Sequence, residues 1–115
     1  MGFFSQLSNL FTRTGRAENL MQQGMAHADA KRPEKAIGIY DSLLSSKAAS
    51  PTVRARALFN RALAHSQLKN DEKAIADLQQ VVAMPTAPEN VLNAARTQLI
   101  RVRNRAQRVQ SRVHG

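Results

Sequence analysis

The hydrophobic positions recur at intervals of three and four residues along most of the chain, which predicts amphipathic α-helices. A first helix is predicted over 17–30 and a second over 33–46. Pro33 suits the first turn of the second helix, because its missing N–H has no partner to lose there. No segment alternates with a period of two, so the sequence predicts an all-α fold.

Part of the pattern is repeated further along the chain. Residues 24–37 align without a gap with residues 62–75, an offset of 38. Seven identities support the alignment: Ala26, His27, Lys31, Glu34, Lys35, Ala36 and Ile37 recur as Ala64, His65, Lys69, Glu72, Lys73, Ala74 and Ile75. Each copy therefore predicts two helices joined by a tight turn, the kind of unit that stacks side by side in repeat proteins.

These hairpins resemble the tetratricopeptide repeat, a helix-turn-helix module of about 34 residues. The family pattern places bulky and small residues at fixed intervals, and the small ones let the paired helices approach closely. The positions that match it, and that we expect to pack the hairpins together, are Leu20, Gly24, Ala36 and Tyr40, then Leu58, Ala62, Ala74 and Leu78. Leucine replaces the family's tryptophan, and a linker over 45–51 stretches the period.

The resemblance divides the chain into three parts and implies a short α-solenoid. An N-terminal amphipathic segment is predicted over 1–16, two hairpins over 17–50 and 51–86, and a basic amphipathic helix over 87–115. Thr86-Ala-Pro-Glu89 has the form of a capping box for this last helix. Two hairpins are fewer than the three usually needed to bury a continuous core, so the last helix is expected to cap one end.

The resemblance implies a non-catalytic adaptor that binds another protein. In the family the first helices of the hairpins line a concave groove, and the apolar residues there suit an amphipathic helix or an extended apolar peptide. The expected groove contacts are Met21, Met25, Phe59, Asn60, Leu63 and Gln67. No small-molecule ligand is expected.

Catalytic chemistry is not expected from these residues. The chain has no cysteine, which excludes a thiolate nucleophile and a cysteine-ligated zinc and fits a cytoplasm-like compartment. It has no Gly-rich phosphate loop and no nucleophile elbow. His27 and His65 have no carboxylate or third ligand at ligating spacing, so we interpret them as packing residues and expect neither metal nor cofactor.

The positive charge concentrates in the C-terminal helix. The chain has 17 Lys plus Arg and 8 Asp plus Glu, and residues 91–115 hold six of the basic side chains and no acidic one. Arg101, Arg105, Arg108 and Arg112 therefore support an alternative function, binding to anionic lipid or RNA phosphates. The other interpretation is a capping helix whose arginines only keep it soluble.

The same helix carries a sustained stripe of apolar residues at three- and four-residue spacing. Its members are Leu92, Ala95, Leu99, Val102, Ala106, Val109 and Val113. Seven-residue repeats of this kind pair helices, so self-association is a further expectation.

The N-terminal segment gathers three of the four phenylalanines, Phe3, Phe4 and Phe11, on one predicted helical face before Gly15 interrupts the pattern. Three interpretations stay open. The segment docks on the repeats or on a second copy, attaches to a membrane surface, or serves as a targeting segment.

Overall fold

The computed structural model describes the backbone of residues 2–114 and the side chains of residues 15–113. Five helices follow one another without a strand in this part of the chain, so the all-α prediction is confirmed. The helices are α1 Gly2–Asp29, α2 Pro33–Ser45, α3 Pro51–Gln67, α4 Asp71–Val82 and α5 Glu89–His114.

Helix α1 runs through the position where the sequence predicted an interruption. Gly15 is helical, and a Cβ added there would meet nothing within 4 Å. A single glycine costs a helix only about 1 kcal/mol, which does not end it. The expectation of a separate N-terminal helix is therefore wrong. The predicted phenylalanine face, Phe3, Phe4 and Phe11, lies outside the described side chains.

Local sequence signals set most of the helix starts. Pro33 and Pro51 stand in the first turns of α2 and α3, and the Ser50 hydroxyl accepts a hydrogen bond from the Val53 N–H at 3.2 Å. The capping box predicted for α5 is wrong. Glu89 is the first residue of that helix, whereas a capping box needs it to be the third.

The two hairpin turns are alike in backbone geometry. Lys31 has φ 61° and Lys69 has φ 63°, so both adopt the left-handed conformation. In each turn the next N–H bonds back across five residues, Arg32 N to His27 O at 2.8 Å and Asn70 N to His65 O at 2.9 Å. This is the Schellman pattern that closes helices, with lysine where glycine is usual. The repeated lysines thus mark a repeated turn.

The helices form two layers, one of α1, α3 and α5 and the other of α2 and α4. Consecutive helices pack as antiparallel neighbours, α1 with α2 and α3 with α4. The backbone of α3 also approaches α1 on one side and α5 on the other, whereas α2 and α4 do not meet within the described residues. Because the helices approach more closely in the first layer than in the second, the surface formed by α1, α3 and α5 is the concave one.

Two hydrophobic clusters hold the layers together. The first, between α1, α2 and α3, contains Met21, Ala36, Tyr40, Leu43, Ala49, Val53 and Ala57. The second, between α3, α4 and α5, contains Leu58, Ala62, Ala74, Leu78, Val81, Ala95, Leu99 and Val102. Each hairpin thus needs the following helix to complete its cluster.

The repeat-packing residues lie where the helices come closest. Gly24 is buried against the ring of Tyr40, and a Cβ on it would lie 2.5 Å from Tyr40 Cε1. At the equivalent site of the second hairpin, Ala62 belongs to the same buried cluster as the smaller Leu78. Burial raises the pKa of Tyr40 to about 12, with the Asp29 carboxylate contributing. Leu20 is partly buried against the first cluster.

Helix α5 is covered over its first half only. Ala95, Leu99 and Val102 are buried in the second cluster, whereas Val109 is 51% exposed and Val113 is 74% exposed. The apolar stripe therefore continues beyond the hairpins that cover its beginning. Among the described residues, no helix combines the length and apolar character needed to span a bilayer.

Candidate functional site

Three partly exposed apolar side chains lie on two helices of the concave layer. Met25 on α1 and Leu63 on α3 occupy equivalent repeat positions, and Phe59 lies one turn before Leu63. All three side chains are partly exposed. Met25 and Phe59 rest against the core clusters, and Leu63 is not among the side chains that pack there. We call Met25, Phe59 and Leu63 the apolar strip.

Met21 is not part of this strip, which corrects the sequence prediction. Its side chain is 0% exposed and belongs to the first hydrophobic cluster. The family pattern places this position on the concave surface, but here α1 and α3 approach closely enough to enclose an unbranched side chain between them. Met21 therefore stabilises the hairpin and offers no surface to a partner.

The two polar residues predicted for the groove, Asn60 and Gln67, differ in how accessible their side chains are to a partner. The Asn60 amide donates to the Arg56 carbonyl at 3.0 Å and contacts Met21 Sδ at 3.8 Å, so both of its contacts are internal. Gln67, the last residue of α3, is exposed. Of these two amides, Gln67 has the more accessible side chain.

An ion pair crosses the concave layer beside the apolar strip. Arg56 Nη1 on α3 lies 3.8 Å from Glu18 Oε1 on α1, and both side chains are more than a third exposed. Exposed pairs of this kind contribute only about 0 to 1 kcal/mol. The pair therefore supplies a polar rim for the groove more than it supplies stability.

A partly buried ionic network joins the two hairpins. Arg61 on α3 binds Asp77 on α4 with two hydrogen bonds, Nε to Oδ2 at 2.9 Å and Nη2 to Oδ1 at 2.7 Å. Its third nitrogen, Nη1, reaches Asp41 Oδ1 on α2 at 2.8 Å. Asp77 is 4% exposed. These hydrogen bonds raise the pKa of Arg61, so the guanidinium stays charged.

The two repeated histidines lie in packing positions. His65 is buried, with Nε2 4.0 Å from Asp77 Oδ2, and His27 is partly buried. Burial lowers the pKa of His65, although the Asp77 carboxylate opposes the shift. In the described part of the chain, no three acidic or histidine side chains gather as a metal-binding group.

Arg105 is not a free surface cation, contrary to the sequence prediction. Its guanidinium pairs with the Asp71 carboxylate at the start of α4 and donates to Ser66 Oγ at 2.8 Å near the end of α3. It therefore fastens α5 to the second hairpin. Arg101, Arg108 and Arg112 are exposed and form no ion pair with a described acidic side chain.

The ionic contacts of Arg61 and of Arg105 were not predicted from the sequence. Asp77 aligns with Ile39 of the first hairpin, so an acid replaces an apolar residue in the repeat pattern. That exchange was a usable signal, because a buried carboxylate requires a charged partner. The contact of Arg54, whose Nη1 donates to the Leu44 carbonyl at 2.9 Å near the end of α2, was not predicted either. No repeat position marks that contact.

Comparison with protein families identifies the second hairpin. A family model described as the tetratricopeptide repeat matches residues 55–86, which include most of α3, all of α4 and the turn that follows. Residues 55–86 therefore match a tetratricopeptide repeat. No curated protein and no solved structure gives a significant match.

The tetratricopeptide repeat is generally a non-catalytic module that mediates protein–protein interaction. The first hairpin aligns with the matched one at an offset of 38 residues. Both turns have a left-handed lysine and the same closing hydrogen bonds. The matched repeat lies at the centre of the chain, with α3 between α1 and α5 in the concave layer.

Proposed function

We propose that this tetratricopeptide repeat protein is a non-catalytic adaptor that binds a helix or an extended peptide of another protein in its concave groove. The observation that carries the proposal is the apolar strip, Met25, Phe59 and Leu63, on the concave layer of a matched repeat fold. The strip is partly exposed although neighbouring side chains of the same helices are buried.

The surroundings of the strip support an apolar contact with polar edges. The ion pair between Glu18 and Arg56 lies on one side, and Gln67 is exposed at the end of α3. Protein interfaces commonly combine an apolar centre with a polar rim of this kind. Methionine and phenylalanine also adapt well to different partner side chains.

The alternative, an anionic-surface binder built on the C-terminal helix, has weaker support. One of its four arginines, Arg105, is engaged with Asp71 and Ser66. Three exposed arginines remain for phosphate or lipid contacts, and no aromatic residue lies among them to stack on bases. Partner binding in the groove is therefore the function that we test first.

The test is affinity capture with the full chain as bait, followed by mass spectrometry. Because the cysteine-free composition favours a cytoplasm-like compartment, the extract should be cytosolic. The variant Leu63→Glu places a charge on the strip at a residue outside the two packed clusters. We expect partners bound by the unaltered chain, at low and at high salt, to be lost from this variant.

The matched control adds negative charge elsewhere. Gln79 and Gln80 are exposed on α4, outside the concave layer, so Gln79→Glu with Gln80→Glu should retain the partners. Circular dichroism should show equal helical content for all three proteins. Retention of the same partners by Leu63→Glu, or their equal loss from the control, would contradict groove binding. Release of every partner at high salt would favour charge-driven binding instead.

A further inference from the structure

The last turns of α5 extend beyond the hairpins, so that Ala106 is only partly buried and Val109 and Val113 are exposed. Ala106, Val109 and Val113 continue the stripe whose earlier members, Leu99 and Val102, are buried in the second cluster. We call Ala106, Val109 and Val113 the terminal seam. Its exposure is largest at its end, where Val113 is 74% exposed.

The spacing of the apolar residues in the stripe indicates what kind of partner surface would pack against it. Its members alternate at three- and four-residue intervals, which is the narrow seam of a helix pair and not the broad apolar face of a membrane-bound helix. In the same repeat, Arg103, Arg105 and Arg112 fall on the positions that flank such a seam. Residues at flanking positions choose the partner helix by charge.

The covered half of α5 shows how this arrangement works. There the stripe packs against Leu78 and Val81 of α4, and the flanking Arg105 pairs with Asp71 at the start of that helix. An apolar seam with an arginine-to-carboxylate contact beside it is therefore already present within the molecule. Arg103 and Arg112 are exposed and form no ion pair with a described acidic residue.

Charge also decides between a partner and a second copy. No Asp or Glu follows Glu89 in the sequence. A second copy would therefore place arginine or glutamine, and no acid, opposite each flanking arginine. Nor is the seam suited to a bilayer, because it consists of alanine and valine and lacks the bulky Trp, Phe or Leu that anchor interfacial helices.

We propose that the terminal seam pairs with an amphipathic helix of another protein that carries acidic residues beside its own apolar stripe. This interface is separate from the concave groove. The α5 helix is already held by its buried half, so only the partner loses conformational freedom on pairing, which favours binding to a short seam.

The test uses the full chain and a synthetic helix of about three heptads with Val and Leu along its seam and Glu at the flanking positions. Fluorescence anisotropy of the labelled peptide measures binding. Arg103→Glu with Arg112→Glu should weaken binding by about tenfold or more, because two attractive contacts become repulsive. The same variant should bind a peptide whose flanking glutamates are replaced by lysine.

A matched control changes the charge equally but away from the seam. Arg101 and Arg108 are exposed at heptad position c, whereas Arg103 at position e and Arg112 at position g flank the seam. We expect Arg101→Glu with Arg108→Glu to change the affinity by less than about threefold. Equal weakening by both variants would show unspecific charge attraction and would overturn the proposal, as would the absence of binding to the acidic peptide.

Two further measurements separate the other occupants. Val109→Ser with Val113→Ser should abolish peptide binding without altering helical content, because both side chains are exposed. If this variant instead loses binding to phosphatidylserine vesicles that the unaltered chain binds, the seam is a membrane contact and the proposal is wrong. Sedimentation that shows a dimer lost in the same variant would assign the seam to a second copy. Leu63→Glu should leave peptide binding unchanged, which separates this interface from the groove.

Discussion

At the scale of single residues, each hairpin combines a small residue on its first helix with a bulky residue on its second, but the residues differ between the two hairpins. Gly24 accommodates the ring of Tyr40, whereas Ala62 stands in the cluster with Leu78. These positions could be predicted from the sequence, because a small residue and a bulky one recur at fixed spacing. The enclosure of Met21 could not, since it depends on how closely α1 approaches α3.

The close contact predicts that Gly24→Ala destabilises the protein by about 1 to 3 kcal/mol, because the buried ring of Tyr40 must move. Combining Gly24→Ala with Tyr40→Leu, which imitates the second hairpin, should cost less than the sum of the two single changes. Urea unfolding gives the four free energies that this comparison requires.

Gly38 is the control, because it is exposed in α2 and a Cβ there would meet nothing within 4 Å. Gly38→Ala should raise the free energy of unfolding by roughly 0.5 to 1 kcal/mol through helix propensity alone. Equal effects of alanine at positions 24 and 38 would argue against the steric explanation.

At the scale of the elements, sequence patterns predicted which segments are helical better than they predicted the ends. Pro33 and Pro51 mark helix starts correctly, since proline fits only the first turn. The Gly15 interruption was wrong because one glycine costs too little to end a helix, and the capping box at Thr86 was wrong because the helix begins only at Glu89. The recurrence of Lys31 and Lys69 was visible in the sequence, but the left-handed backbone conformation at both lysines was not.

The left-handed backbone at Lys69 predicts that Lys69→Gly stabilises the protein. Glycine lacks the Cβ that disfavours this conformation, so we expect a gain of about 0.5 to 1 kcal/mol. Thermal unfolding followed by circular dichroism measures the change. Lys69→Ala removes the same side chain but keeps the Cβ, and it should show no such gain; a similar rise for alanine would point to charge instead of backbone conformation.

At the scale of the whole molecule, the two hairpins are connected by helix packing and by one ionic network. Helices α2 and α3 pack together, α1 approaches α3, and Arg61 links Asp41 of the first hairpin to Asp77 of the second. The stacking of the hairpins could be predicted from the sequence repeat. This ionic network could not, because Arg61 and Asp77 have no equivalents in the first copy of the repeat.

Removal of the central cation predicts a large loss of stability. Arg61→Ala leaves Asp77 buried without its partner, and we expect the free energy of unfolding to fall by about 2 to 4 kcal/mol. Arg56→Ala, on the same helix but in an exposed pair, should lower it by less than about 1 kcal/mol. Chemical denaturation of the two variants makes the comparison, and equal losses would show that the network is not the principal link.

The helix order in the concave layer also has a consequence for cooperativity. Within the described residues neither α1 nor α2 meets α5, so the first hairpin communicates with the C-terminal helix only through the second. Such nearest-neighbour coupling allows one end of an array to open while the other stays folded. A ligand that touches Met25 and Leu63 together would add a contact between neighbouring units, so binding would make the unfolding of the two hairpins more nearly concerted.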